Sequence, residues 1–139
     1  MDKTTIKTNS PSLHNHSEHS TNDSTLTPTQ LVRVAVEKNI PAIALTDHGT
    51  LTGIFEFMRA GDKIAKENKD KGNENVNIKL IPGVEAYVQE DDDLTEKRKH
   101  LVLLAKDYQG FQAISRAVTE SNTRIKKGYP LFNKEILNK

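Results

Sequence analysis

Cysteine is absent from the 139 residues, and so is tryptophan. Without thiols there are no disulfides and no thiolate-bound zinc, so any metal site must be built from His, Asp and Glu. Aromatic residues make up only 5%, and a hydrophobic fraction of 35% beside 28% charged residues describes a globular chain with a lean core. No apolar run approaches the roughly 20 residues that span a bilayer, which excludes a membrane helix. The opening MDKTTIKTNSPS lacks the apolar segment of a secretory signal, and together with the missing thiols this sets the expectation of a cytoplasmic protein. Charge of either sign is also scarce in net terms. Twenty Lys and Arg against 19 Asp and Glu leave +1, which predicts no strong electrostatic hold on nucleic acid by this chain alone.

What the chain does have is histidine in a concentrated place. Three of its five histidines fall in SLHNHSEHSTND, residues 12–23, together with Glu18 and Asp23. Residues 1–11 ahead of them read as a flexible leader, and Ser12–His16 as a short strand. TLTPTQLVRVAVEKN then reads as a helix, with Thr27 as N-cap, Pro28 at its first position, and Leu31, Val34 and Ala35 following. IPAIALTDHG is a buried strand entering a loop. Leu51, Ile54, Phe55, Met58 and Ala65 recur at helical spacing, which predicts a second helix with Leu51, Phe55 and Met58 facing the core. After the polar turn KDKGNENVN comes the strand IKLIPGVEAYV. The charged stretch QEDDDLTEKRK, including Asp91, Asp92 and Asp93, reads as a solvated excursion. HLVLLAKD is a fourth strand led by His100, and Phe111, Ile114, Ser115 and Val118 mark a third helix. The final TRIKKGYPLFNKEILNK begins another element. Strands and helices alternate in the manner of parallel βα units, so the expected class is an α/β sheet or barrel. About four strands and three helices are too few to close a barrel.

In parallel α/β folds, ligand-binding groups collect in the loops at the carboxyl ends of strands. His14 and His16 are two apart, so an extended backbone projects both to one face. Asp47 and His48 close the second strand, Glu85 sits near the end of the third, and His100 opens the fourth. Each has a plain structural alternative. An isolated His-x-His is often solvent-exposed, TDHG alone can be a strand-ending turn, Glu85 alone an edge carboxylate, and His100 the close of a charged turn. The joint placement favours a shared metal site. Imidazole with carboxylate oxygen suits Zn, Mn or Fe, and such a site suits phosphoester or phosphodiester hydrolysis.

LHNHSEHSTND, ALTDHGTLTGIFEF, IPGVEAYV and KHLVLLAKDYQGFQAISRAV occur in the order typical of the PHP (polymerase and histidinol phosphatase) domain. The sequence most resembles the branch found at the N-terminus of bacterial DNA polymerase III alpha subunits, from about Leu13 onward. The resemblance implies a distorted (βα) barrel of PHP type, with residues 12–139 as its N-terminal portion, incomplete in this chain. It implies two to three divalent ions in a complete domain. Its metal ligands here would be His14, His16, Asp23, His48, Glu85 and His100. Asp47 would be the catalytic-site carboxylate, placed to orient an imidazole. His19 falls where those polymerases carry an aromatic residue and is set aside, and Ser24 stands where they carry glycine. Further family ligands, another histidine and a late Asp-x-His pair, have no counterpart here, since no histidine follows His100.

The function this implies is a metal-dependent phosphoesterase module of a bacterial or phage replicative polymerase, with a 3′–5′ exonuclease role in DNA replication. DNA would be met through the full-length polymerase, beside other replisome subunits and away from membranes. Two alternatives stand beside it: a non-catalytic, metal-stabilised brace or partner-binding module, and a small phosphatase of the histidinol-phosphate type. As a half-barrel with exposed strand edges, the chain alone is expected to be marginally stable and prone to self-association.

Overall fold

The computed structural model describes residues 10–72, 78–89, 98–126 and 128–139. Most of the leader expected over 1–11, and the acidic run Asp91–Asp93, lie outside the described residues. Helix α1 (Pro28–Glu37) begins where its capping chemistry predicts. The Thr27 hydroxyl accepts from the Gln30 backbone N–H, and the Gln30 side chain accepts in return from the Thr27 N–H. This reciprocal box satisfies amides that the first turn leaves without partners, and Pro28 contributes no amide to satisfy.

Strand β1 (Ala42–Leu45) lies parallel to β2 (Lys79–Val88), joined through helix α2 (Ile54–Asp70). The expected strand at Ser12–His16 is reduced to a single parallel bridge, Ser12 to Ile43. Its neighbours still run along β1 through Ser12 N–H to Ala42 O at 2.9 Å and Thr46 N–H to Asn15 O at 2.9 Å. That contact is what brings the histidine cluster alongside the end of β1.

Beyond β2 the chain departs from the expected alternation. Strand β3 (Lys99–Leu104) pairs antiparallel with β2, Tyr87 opposite His100 and Glu85 opposite Val102, with no helix described between them. Helix α3 (Tyr108–Thr123) then leads to β4 (Ile125–Lys126), β5 (Tyr129–Phe132) and the short α4 (Lys134–Leu137). Strand β5 pairs parallel with the last residues of β2. The described residues thus hold five strands and four helices. The reversal of β3 has a direct consequence: a histidine that opens an antiparallel strand lands at the same end of the sheet as side chains that close parallel ones.

The main core joins α1, β1 and α2 through Leu31, Val32, Ala35, Ile43, Leu45, Ile54, Phe57, Ala60 and Ile64. Here the expected face of α2 is wrong. Phe55 is 73% exposed and packs against Arg59, Met58 is also exposed, and Phe57 is fully buried. The stripe Ile54–Phe57–Ala60–Ile64 is the one that spaces correctly along the helix. Leu51 precedes the helix and packs against the core from its loop. A smaller cluster of Ala86, Phe132 and Ile136 lies under α3 and α4.

Candidate metal centre

Glu85 is the hub. Its backbone is fixed on β2 by Glu85 N–H to Asp47 O (3.1 Å) and Gly49 N–H to Glu85 O (2.9 Å), so the loop after β1 is laced to it directly. Its side chain is almost fully buried, yet its two oxygens meet four imidazoles from three parts of the chain. Oε2 lies 2.7 Å from His14 Nε2, 2.9 Å from His16 Nε2 and 3.6 Å from His48 Nε2, while Oε1 lies 2.8 Å from His100 Nδ1. Asp23 reaches the same cluster through His48, Oδ2 to Nε2 at 3.2 Å. Asn22, at a left-handed φ of 76°, turns the loop that presents Asp23, a conformation asparagine tolerates well. The structure therefore brings together all six side chains expected to be ligands. They group in threes: His14, His16 and Glu85; His16, Asp23 and His48; His48, Glu85 and His100. His19 lines the adjacent cavity but belongs to none of these groups.

Asp47 stands outside the three donor groups. Its carboxylate is buried and accepts from the Ser17 N–H (2.6 Å), the Ser17 hydroxyl (2.7 Å) and the Ser20 hydroxyl (3.1 Å). It reaches an imidazole only through Ser20, whose Oγ lies 2.9 Å from His16 Nδ1 and accepts from the His48 backbone N–H at 2.8 Å. One hydroxyl has one proton. With Asp47 and the His48 amide as neighbours, the consistent pattern is Ser20 donating to Asp47 and accepting from both His48 N–H and His16 Nδ1–H. That assigns the His16 proton to Nδ1 and leaves Nε2 as a lone pair facing Glu85.

The donor set fits a divalent cation. His14 Nε2, His16 Nε2 and Glu85 Oε2 form a triangle with sides of 2.7, 2.9 and 3.1 Å. Two donors each about 2.1 Å from one ion lie roughly 3.0–3.4 Å apart, so a slight opening of this triangle would seat one divalent ion against all three. Burial alone would raise the Glu85 carboxyl, but the His14 hydrogen bond and the neighbouring His48 and His100 hold it below its ordinary value. Burial lowers the His48 imidazole, with His16 and His100 adding to the effect against the pull of Glu85 and Asp23. Both shifts favour the forms that bind metal, an ionised Glu85 and a neutral His48. The buried His48 Nδ1 has no hydrogen-bond partner among the described residues. That ring is instead held by stacking, on Tyr87 at 5.0 Å and His16 at 4.7 Å.

A cavity of about 700 Å³ opens beside the cluster, lined in part by Asp23, His48, His100, Tyr87, Tyr129 and Arg98. Gly49 shapes one wall. At φ 62° a side chain there would be strained, and an added Cβ would meet Pro130 Cγ at 2.5 Å, so only glycine lets β5 approach this closely.

A family model described as the PHP domain matches residues 12–139. The DNA polymerase III alpha subunit of Chlamydia muridarum is 34% identical over 132 residues, covering 90% of this chain and 10% of that protein. Its counterpart from Borreliella burgdorferi is 33% identical over 134 residues, covering 91% and 11%. That from Thermus aquaticus is 30% identical over 135 residues, covering 90% and 10%. The chain spans about a tenth of the length of these curated relatives. Among solved structures, a candidate metal-dependent phosphoesterase from Bifidobacterium adolescentis superposes with a TM-score of 0.58 at 23% identity, over 83% of this chain and 34% of that one. An amidohydrolase from Chromobacterium violaceum, with bound sulfate and no metal, gives 0.55 at 26% identity, over 81% and 34%. The mixed α/β arrangement described above is thus part of a larger fold in those proteins.

Proposed function

The chain belongs to the PHP domain family, and from that premise we propose that residues 12–139 are the N-terminal part of a metal-dependent phosphoesterase module in a bacterial DNA polymerase III alpha subunit. The observation that carries the reading is the convergence of four imidazoles on the Glu85 carboxylate. In this reading His14, His16, Asp23, His48, Glu85 and His100 hold two or more divalent ions of the Zn, Mn or Fe kind. Bound there, such ions polarise a phosphoryl oxygen and acidify water at neutral pH. Glu85, central to all four imidazoles, sets the spacing of the cluster. Asp47 is a positioning residue that acts through Ser20 on the His16 ring. Asp23 joins His16 and His48 as the carboxylate of a second donor group beside the cavity. DNA is the substrate, a 3′–5′ exonuclease role in replication the activity, and other replisome subunits the partners, in the cytoplasm. No helix among the described residues is long and apolar enough to cross a membrane.

The test is hydrolysis of a 3′-labelled oligonucleotide by the Mn²⁺-loaded protein. Activity should vanish with chelator and fall at least a hundredfold in His14→Ala. Hydrolysis indifferent to both removes the catalytic reading. A second reading rests on a different aspect of the same cluster. Glu85 ties together side chains from three separate segments, so an ion there would brace the sheet even without turnover. Loss of melting temperature on chelation, with no hydrolysis of any phosphodiester offered, favours that brace.

A further inference from the structure

Arg98 stands immediately ahead of β3 and forms part of the same cavity wall as His48 and His100. Its guanidinium lies 3.8 Å from the centroid of the Tyr129 ring and makes no ion pair among the described residues. Tyr129 meets Tyr87 edge-on at 5.1 Å, and Tyr87 stacks on His48 at 5.0 Å. Two tyrosine rings therefore separate the arginine from the ligand cluster. A stacked guanidinium keeps its in-plane N–H donors available at the edge, where they match two oxygens of a phosphate. Packing against Tyr129 also reduces the rotamer freedom that binding would otherwise remove. Tyrosine rings between two anion-attracting points suit the sugar and base of a nucleotide. At about 700 Å³ the cavity is in the range of sites that hold whole small molecules rather than a lone phosphate.

We propose that Arg98 and Tyr129 form a second phosphate subsite, so that the cavity takes a nucleotide unit with its scissile phosphate at the ligand cluster and the adjoining phosphate at Arg98. This rests on the phosphoesterase reading and names its substrate class: a strand end of at least two phosphates, not an isolated phosphomonoester.

The experiment compares a thymidine dinucleotide with and without a 5′-phosphate, for the wild-type Mn²⁺-loaded protein and Arg98→Gln. The 5′-phosphate should raise wild-type kcat/KM by about ten- to hundredfold, mainly through KM, as expected for a hydrogen-bonded charge pair. That gain should be absent in Arg98→Gln, and Arg98→Lys should recover only part of it. The same gain in wild type and Arg98→Gln overturns the subsite. If wild type cleaves neither dinucleotide, the hydrolytic reading falls by itself, and the subsite is then decided by equilibrium binding of the phosphorylated dinucleotide in chelator. At least tenfold weaker binding by Arg98→Gln supports it, and equal affinity overturns it.

Discussion

The floor and the rim of the ligand cluster are held by different means. On the floor, Glu85, Asp47, Ser17 and Ser20 are at most 4% exposed, and Asp47 and the two serines are tied by hydrogen bonds that fix each position before anything binds. On the rim, the side chains of His14, His100 and Asp23 are 51, 47 and 41% exposed and touch the rest mainly through Glu85 or His48. Buried polar groups without partners are costly, so a network that is complete on the floor also specifies the local fold. Exposed donors carry no such penalty and are free to serve a ligand. Stability should therefore depend on the floor, and ion binding on both.

The sharpest way to break that contrast is at the hub. Glu85→Ala should weaken divalent-ion binding by about a thousandfold or more, because every donor group but one uses this carboxylate; calorimetric titration returning near-wild-type affinity would end the hub argument. Next in size, Asp47→Ala should cost about 3 kcal/mol in the metal-free protein, by leaving three buried donors from Ser17 and Ser20 unpaired. Denaturant midpoints measured in chelator check this, and a loss below ~1 kcal/mol would show the floor to be no more rigid than the rim. Ser20→Ala should then lower ion affinity by about 10- to 100-fold, the usual scale for a residue that orients a ligand. Nitrogen chemical shifts of His16 should show the proton leaving Nδ1 as its sole state, and an unchanged tautomer would refute the relay. Smallest of all, His100→Ala should shift metal-free stability by less than about 0.5 kcal/mol while still weakening ion binding. A large stability loss there would erase the distinction.

Much of this was legible in the chain itself because local chemistry and tertiary need agreed. Thr27 and Pro28 announced α1, and the apolar runs announced β1 and β2. The convergence of side chains was readable because His14 and His16 stand two apart beside β1, His48 follows β1, His100 lies at the start of β3, and Glu85 sits in the apolar strand between them. Four features were not legible. The direction of β3 depends on pairing with β2 across a long charged stretch, and nothing in HLVLLAKD says parallel or antiparallel. The core face of α2 was misjudged because Phe55 and Met58 also fall at helical spacing, and only the partner surface of α1 and β1 selects Phe57 instead. Ser17 and Ser20 carry no ligand chemistry of their own and so give no signal in a motif read for metal donors. The signal that pointed to them was a buried aspartate after β1, which needs donors that the polar segment 12–23 was the obvious source to supply. Tyr87 was missed for a related reason, since its role is to stack on His48 rather than to donate.

The lacing of Glu85 to both the loop after β1 and the facing Val102 has one more implication. Side chains along a strand alternate sides, so a slip of β2 by one position would turn the carboxylate away and offer Val84 or Ala86 to the four imidazoles. A mis-aligned sheet would then have no grip on a cation. Any ion captured during folding would act as a proofreader of strand alignment, rewarding only the arrangement in which the whole cluster closes.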